Sequence, residues 1–369
     1  MYSEEFYRIA LQYVEGYGRA TLKKMLRLSG SATDLFTHTE VWRSSVNRRS
    51  QKTPVPTIGD EVRRKVDEEL KLMDKNQLHL CFYLDGDYPY RLKSCADGPI
   101  SFFYKGSPEF NVAHLLAVVG TREATDYGRN AVKKILSELK EIPLTTVSGL
   151  AYGIDTEAHV RSLELGMKTI AVMGCGLGTI YPNQNIRLSE EILEQGGTLI
   201  SEYTYRTPPD RLNFPKRNRI IAGMSDAVLV AETANKGGSM ITAYIAQSYN
   251  RDVFAVPGSI FSPYHDGCHE LIRKNVAAVV TSGTDLIEMM NWEQNVMNVQ
   301  TSLFIDLSAD EQAVTDLIRS GKEVPIDRLS EELTDFSPSK LAGLLLGLEL
   351  KGVIVCKPGK VYAMNVLMC

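Results

Sequence analysis

From Leu115 to about Met290 the chain alternates short apolar runs with amphipathic stretches. The runs are Leu115 to Val119, Leu144 to Val147, Thr169 to Met173, Thr198 to Ile200, Ala227 to Val230, Val253 to Val256 and Ala277 to Val280. Each is of strand length. The stretches between them repeat at helical spacing, as in Val132, Ile135, Leu136 and Leu139, and such alternation predicts a mostly parallel sheet wrapped by helices. Residues 1 to about 75 read as helical, with Leu22, Met25 and Leu26 on one face and a charge-rich helix from Asp60 to Met73. From Gln77 to Gly106, Leu80-Cys-Phe-Tyr-Leu and Ser101-Phe-Phe-Tyr-Lys-Gly are short strands broken by turn residues, a lead-in to the sheet. After an Asn- and Gln-rich stretch, helices are predicted at Ala309 to Ser320 and Pro325 to Leu333. A third is capped by Ser337 with Pro338 in its first turn, and carries Leu341, Leu344, Leu345 and Leu348 at i, i+3, i+4 and i+7. Val353 to Ala363 then reads as a hairpin with a Lys-Pro-Gly-Lys tip, and three helices plus a hairpin make a winged helix. The expected architecture is therefore α/β. It has a helical domain at 1–75, a Rossmann-like domain at 76–290, a linker at 291–303 and a winged helix at 304–369.

A length of 369 residues suits two or three domains. The acidic N-terminus lacks a signal peptide's basic and apolar regions, and no apolar run approaches a membrane span, so a cytoplasmic protein without membrane contact is expected. Six cysteines without Cys-x-x-Cys pairing suggest neither a disulfide framework nor a zinc ribbon. The net charge of −4 gives no whole-molecule attraction to nucleic acid, so any such site must be a local patch.

In a sheet of this kind ligands bind beyond the carboxyl ends of the strands, and the loops there are unusual. Gly120-Thr121-Arg122 offers close backbone approach, a hydroxyl and a forked cation. Ser148-Gly149 opens a glycine-containing turn before a helix. Gly174-Cys-Gly176 resembles a dinucleotide fingerprint but has Thr179 where the last glycine belongs, so no cofactor is expected. The stretch from Arg206 to Arg219 holds Arg206, Arg211, Lys216, Arg217 and Arg219 against Asp210 alone, an electrostatic footprint for a phosphate backbone. Pro215 places Lys216, Arg217, Asn218 and Arg219 on a helix N-terminus, and Phe214 beside them offers a ring on which an unpaired base can stack. Gly237, Gly238, Ser239 and Thr242 open another helix with amide and hydroxyl donors. Gly16 and Gly18 form a turn before a basic helix, either a phosphate-gripping helix-hairpin-helix or an ordinary connection.

Several chemistries are missing. There is no P-loop, no His-Glu-x-x-His and no Gly-x-Ser-x-Gly. His265, Cys268 and His269 have a ligand-like spacing without a second half-site, which favours a plain polar loop over a metal. Asp155 and His159 lie one helical turn apart without a nucleophile and read as capping and packing residues. A nucleotide-processing enzyme of phosphoribohydrolase type, with Pro-Gly-Gly-x-Gly-Thr-x-x-Glu, is one rival. Here the matching place reads Lys236-Gly-Gly-Ser-Met-Ile-Thr-Ala-Tyr, without the glutamate. The other rival, a winged-helix regulator of duplex DNA, has only the Lys-Pro-Gly-Lys wing in support.

Taken in order, Gly120-Thr-Arg, Ser148-Gly-Leu-Ala-Tyr-Gly-Ile-Asp with His159, Gly174-Cys-Gly-Leu with Tyr181-Pro, Ser201-Glu, Phe214-Pro-Lys-Arg-Asn-Arg-Ile-Ile-Ala-Gly, Gly238-Ser-Met-Ile-Thr-Ala and Pro257-Gly-Ser resemble the DprA/Smf DNA-processing proteins of bacteria. The likeness runs from about Tyr88 to Asp285. It implies a non-catalytic protein that binds single-stranded DNA, shields it from nucleases and helps load the RecA recombinase in natural transformation. It also implies a homodimer formed through the Rossmann-like domain. By motif match, Arg122, Lys216, Arg217 and Arg219 would carry phosphates. The chain departs from the family's pattern at Cys268-His269.

Overall fold

The computed structural model describes residues 2–38, 57–107, 109–292 and 307–364, apart from 322, 335, 352 and 358–359. The expected linker at 291–303 lies outside the described residues beyond its first two positions, and so do Pro358 and Gly359 at the tip of the C-terminal hairpin. Residues 1–295 form one compact unit and 296–369 a second.

Nine strands make the sheet of the first unit: β1 (His79–Phe82), β2 (Ser101–Gly106), β3 (His114–Gly120), β4 (Leu144–Ser148), β5 (Thr169–Met173), β6 (Thr198–Ser201), β7 (Ala227–Glu232), β8 (Asp252–Ala255) and β9 (Ala278–Val279). Their order is β1-β2-β6-β5-β4-β3-β7-β8-β9. The run from β6 to β9 is parallel, and the β1–β2 hairpin pairs antiparallel with β6. All seven apolar runs become the parallel strands. Their side chains alternate as a strand's two-residue period requires: Leu115, Ala117 and Val119 enter one core, Leu116 and Val118 the other. The helix Asn213–Met224 and the helix Gly238–Ser248 cover the first face; Asp126–Glu138 and Ile154–Glu164 cover the second. The chain winds outward from β3 to β6 and then returns to the far side of β3 to form β7. Strand order thus reverses between β3 and β7, and at such a reversal the two following loops diverge and leave a crevice.

The N-terminal helices do not stand apart from the sheet. Phe6, Ile9, Leu22, Met25, Leu26, Leu35, Val66 and Met73 share one core with Phe82, Ile100 and Phe103 of the edge hairpin. The N-terminal helices thereby cover the face of the hairpin opposite the one that Cys81, Phe102 and Tyr104 present to the first core. A buried link ties the lead-in to the sheet: Arg91 donates to Asp226 at 2.6 and 2.8 Å and to the Val112 and Ala113 carbonyls.

The second unit packs the helices Ala309–Gly321, Ile326–Glu332 and Pro338–Leu350 against a small sheet in the order β10 (Glu323–Pro325), β12 (Val361–Met364), β11 (Ile354–Lys357). Ser337 caps its helix by accepting from Lys340 N, with Pro338 in the first turn. Leu341, Leu345 and Leu348 are buried as their spacing predicts, together with Val314, Ile318 and Leu329. Lys340 and Lys351 pair with Asp310 and Glu311, and Leu346 and Leu350 face solvent. That helix therefore lacks the free cations with which a reader of duplex DNA holds phosphates.

Candidate nucleic-acid interface

At the reversal between β3 and β7 lies a cleft of about 370 Å³, lined by Gly120, Thr121, Arg122, Asp155, Arg211, Phe214, Pro215, Arg217, Asn218, Gly237, Gly238, Ser239, Ile241 and Thr242. All of these but Ile241 were singled out in the sequence. Arg122 projects at the mouth with its guanidinium carbon 5.7 Å from the centre of the Phe214 ring. The ring is half-buried, leans on Tyr181 at 5.4 Å and packs on Gly174, where a Cβ would lie 2.6 Å from Phe214 Cδ1. Gly174 is therefore a seat for the ring rather than an anion donor.

The basic stretch divides by direction. It forms the helix Asn213–Met224 as expected, and successive residues on a helix turn by about 100°. Arg217 enters the floor of the cleft, where its side chain is buried and donates to the carbonyls of Gly149, at 2.6 Å, and Val172. Arg219, two positions on, faces away and pairs with Glu202. Arg206 pairs with Glu68. These three correct the expectation that the whole stretch is free for phosphates, because each guanidinium already has a carboxylate or carbonyl partner. Arg122, Arg211 and Lys216 are exposed, and among the described residues none of them is in an ion pair. Lys216 sits beside the cleft rather than in its lining.

Other expected donors are also used within the fold. Ser148 is fully buried and donates to Val118 O at 2.7 Å. Gly149 leaves room for Arg217, since a Cβ there would lie 2.5–2.7 Å from the guanidinium. The amides of Gly149 and Ala151 point at Asp155. Burial pushes the Asp155 carboxyl above its ordinary range, opposed chiefly by the charge of Arg217. Gly176 donates to Thr207 O at 2.9 Å, which removes it from the candidate set. Ser239 spends its hydroxyl on Thr233 at 2.7 Å.

What remains open is backbone. The helix Gly238–Ser248 starts from Gly237 without a side-chain cap, and Gly238 has nothing within 4 Å of the place a Cβ would take. The first amides of an uncapped helix have no intrahelical acceptor and carry the positive end of its dipole. They share the cleft lining with Arg122 and Arg211, an arrangement chemically suited to an anion. Arg211 belongs to it and could have been placed from its position in the basic stretch; Asp155 was read from the sequence as a capping and packing residue, and Ile241 carried no signal in the local pattern.

The His265, Cys268 and His269 cluster is taken up by packing. Cys268 is buried with Sγ toward Val230 O, His265 Nε2 lies 3.9 Å from Glu232 Oε1, and His269 Nε2 meets Gly258 O at 3.1 Å. Among the described residues no group of three or more such side chains is placed to hold a metal ion. Likewise, no described helix is long and apolar enough to cross a membrane.

A sequence model described as DNA recombination-mediator protein A matches residues 79–291, and one described as the DprA winged helix domain matches 304–360. The chain belongs to the DprA/Smf family. It is similar to the DNA processing protein DprA of Streptococcus pneumoniae, 45% identical over 204 residues that make up 55% of this chain and 71% of that protein. The X-ray structure of that DprA superposes with a TM-score of 0.63 at 34% identity, over 79% of this chain and 99% of its own. Protein Smf of Escherichia coli is 36% identical over 304 residues, 80% of each chain. DNA processing protein A of Helicobacter pylori, whose structure is described in terms of its single-stranded DNA binding mode, superposes with a TM-score of 0.54 at 28% identity, over 59% of this chain and 98% of that one.

Proposed function

We propose that this DprA/Smf protein binds single-stranded DNA in the cleft between β3 and β7 and does no chemistry on it. The observation that carries the reading is the meeting of Arg122, Arg211 and the open helix N-terminus at Gly238 beside Phe214, with the Arg122 guanidinium over its ring. Phosphates take the cations and amides, and a base takes the ring, contacts that tolerate any sequence. Its membership of a family of recombination mediators supports the wider role: a cytoplasmic homodimer that protects incoming strands and helps RecA load on them. The enzymatic rival finds less support, because the one carboxylate in the lining, Asp155, is held by the amides of its own loop.

The test is an anisotropy titration of labelled oligo-dT across a salt series, with duplex as competitor. The wild type should prefer the single strand. Arg122→Gln should weaken binding and reduce the slope of log K against log salt by about 0.7 for one lost phosphate contact. An unchanged affinity and slope would reject the site, and release of free base from nucleoside monophosphates would revive the enzyme.

A further inference from the structure

The helix that carries Arg217 into the DNA cleft carries Arg219 toward a second one. This second cleft, of about 450 Å³, lies between the N-terminal helices and the end of β6, and its walls include Tyr13, Tyr17, Gly18, Arg19, Glu202 and Tyr203. We infer that it is a second nucleotide subsite, into which a single strand leaving the first cleft passes; this rests on the function proposed above.

Four observations converge. First, both clefts open on the rim formed by the carboxyl ends of the parallel strands. β6 stands three positions from β3, and at a spacing of about 4.8 Å the clefts are roughly 14 Å apart along the sheet. At about 3.4 Å of stacked rise per nucleotide that is roughly four nucleotides.

Second, the rim between them is continuous. Phe214 leans on Tyr181, and the backbone of Thr204 and Tyr205, next to Tyr203, closes on Gly176 and Gly178 of the same loop as Tyr181.

Third, among the aliphatic Leu11, Val14, Leu22 and Ile100 the walls carry three half-buried tyrosines, and such rings take stacked bases.

Fourth, the one carboxylate of the lining is neutralised, so the wall does not repel phosphate. Glu202 is the carboxylate of the lining and is bound by two guanidinium groups, Arg19 at 3.0 Å and Arg219. Arg219 is only 7% exposed and its Nη1 is buried without any hydrogen-bond partner. The helix Arg19–Ser29 begins beside them from Gly18, again without a side-chain cap.

The full-length chain should be titrated with labelled oligo-dT of about 4, 8 and 12 nucleotides, spanning the sizes at which one or two stacking sites fill. The wild type should bind the 8-mer about tenfold or more tighter than the 4-mer, the increment of one stacked base. Arg19→Gln combined with Tyr203→Ala should remove that gain and leave 4-mer affinity unchanged. Tyr203→Phe, which keeps the ring, should retain it. An 8-mer whose distal half lacks bases should behave as the 4-mer toward the wild type.

A wild type with no gain from 4 to 8 nucleotides, or a double variant that keeps the full gain while melting at the wild-type temperature, overturns the second subsite and leaves the first standing. Failure to bind any length overturns both.

Discussion

Arg217 and Arg219 stand two residues apart and serve different surroundings. A count of charges along the sequence locates the basic stretch but not the direction of each side chain, which depends on helical phase and on carboxylates far along the chain, Glu68 and Glu202. The motif therefore placed the stretch on one helix and overstated its free cations. Arg219→Gln should strand Glu202 with Arg19 alone, lowering the urea midpoint while affinity for a 4-mer oligo-dT stays at the wild-type value. Breaking such a buried pair costs as much as ~3–5 kcal/mol, less here because Arg19 remains.

His159 makes a residue-scale prediction of another kind. Its imidazole is fully buried with Nδ1 2.7 Å from Thr169 Oγ1, and burial, aided by the nearby charge of Arg217, pulls its pKa down to about 3. The folded form therefore holds this ring neutral while the unfolded chain takes up a proton near pH 6.5. Its contribution to stability is fully present above that pH and is lost as pH falls toward 3. Urea midpoints measured from pH 7 to pH 4 should fall less steeply for His159→Gln than for the wild type; parallel curves would refute the assignment. The sequence reading of His159 as a packing residue agrees with this burial, and needed only the lack of a nucleophile beside it.

Among the elements, the strands were legible because each is a compact apolar run, and the helices because their buried faces repeat at 3.6 residues. The glycine loops were less legible. A glycine in a sequence signals room, and only the fold tells whether a ligand or the protein fills it. At Gly238 the room is open, at Gly149 it holds Arg217, and at Gly176 the amide meets a carbonyl from the loop after β6. Gly120 is crowded although it lines the cleft: a Cβ there would lie 2.7 Å from Ile154 Cβ and 2.8 Å from Glu232 O. Gly120→Ala should thus separate β3 from the helix Ile154–Glu164, with a loss of about 1–3 kcal/mol visible as a lower melting temperature. Gly238→Ala meets nothing and should leave the melting temperature within a degree or two.

For the whole molecule, charge is arranged locally: a chain of net −4 gathers Arg122, Arg211 and Lys216 along one side of the sheet. Composition alone showed that any anion site had to be such a patch. The core shared by the N-terminal helices and the edge hairpin was not visible, because the partners Met25, Phe82 and Phe103 are joined only by tertiary contact. A chain lacking residues 1–77 should consequently expose Phe82, Ile100 and Phe103 and aggregate on expression. A chain ending at residue 295 retains one complete compact unit and should keep wild-type affinity for oligo-dT, as an anisotropy titration would show.

The return of the chain from β6 to β7 has a consequence in time. During synthesis Arg122 emerges early, yet the opposite wall of its cleft waits until β7 has docked beside β3 and the helix beginning at Gly238 has formed. A ribosome-bound chain that stops short of that helix holds the cations without the crevice, so capture of a DNA strand reports that the sheet has been assembled past its centre.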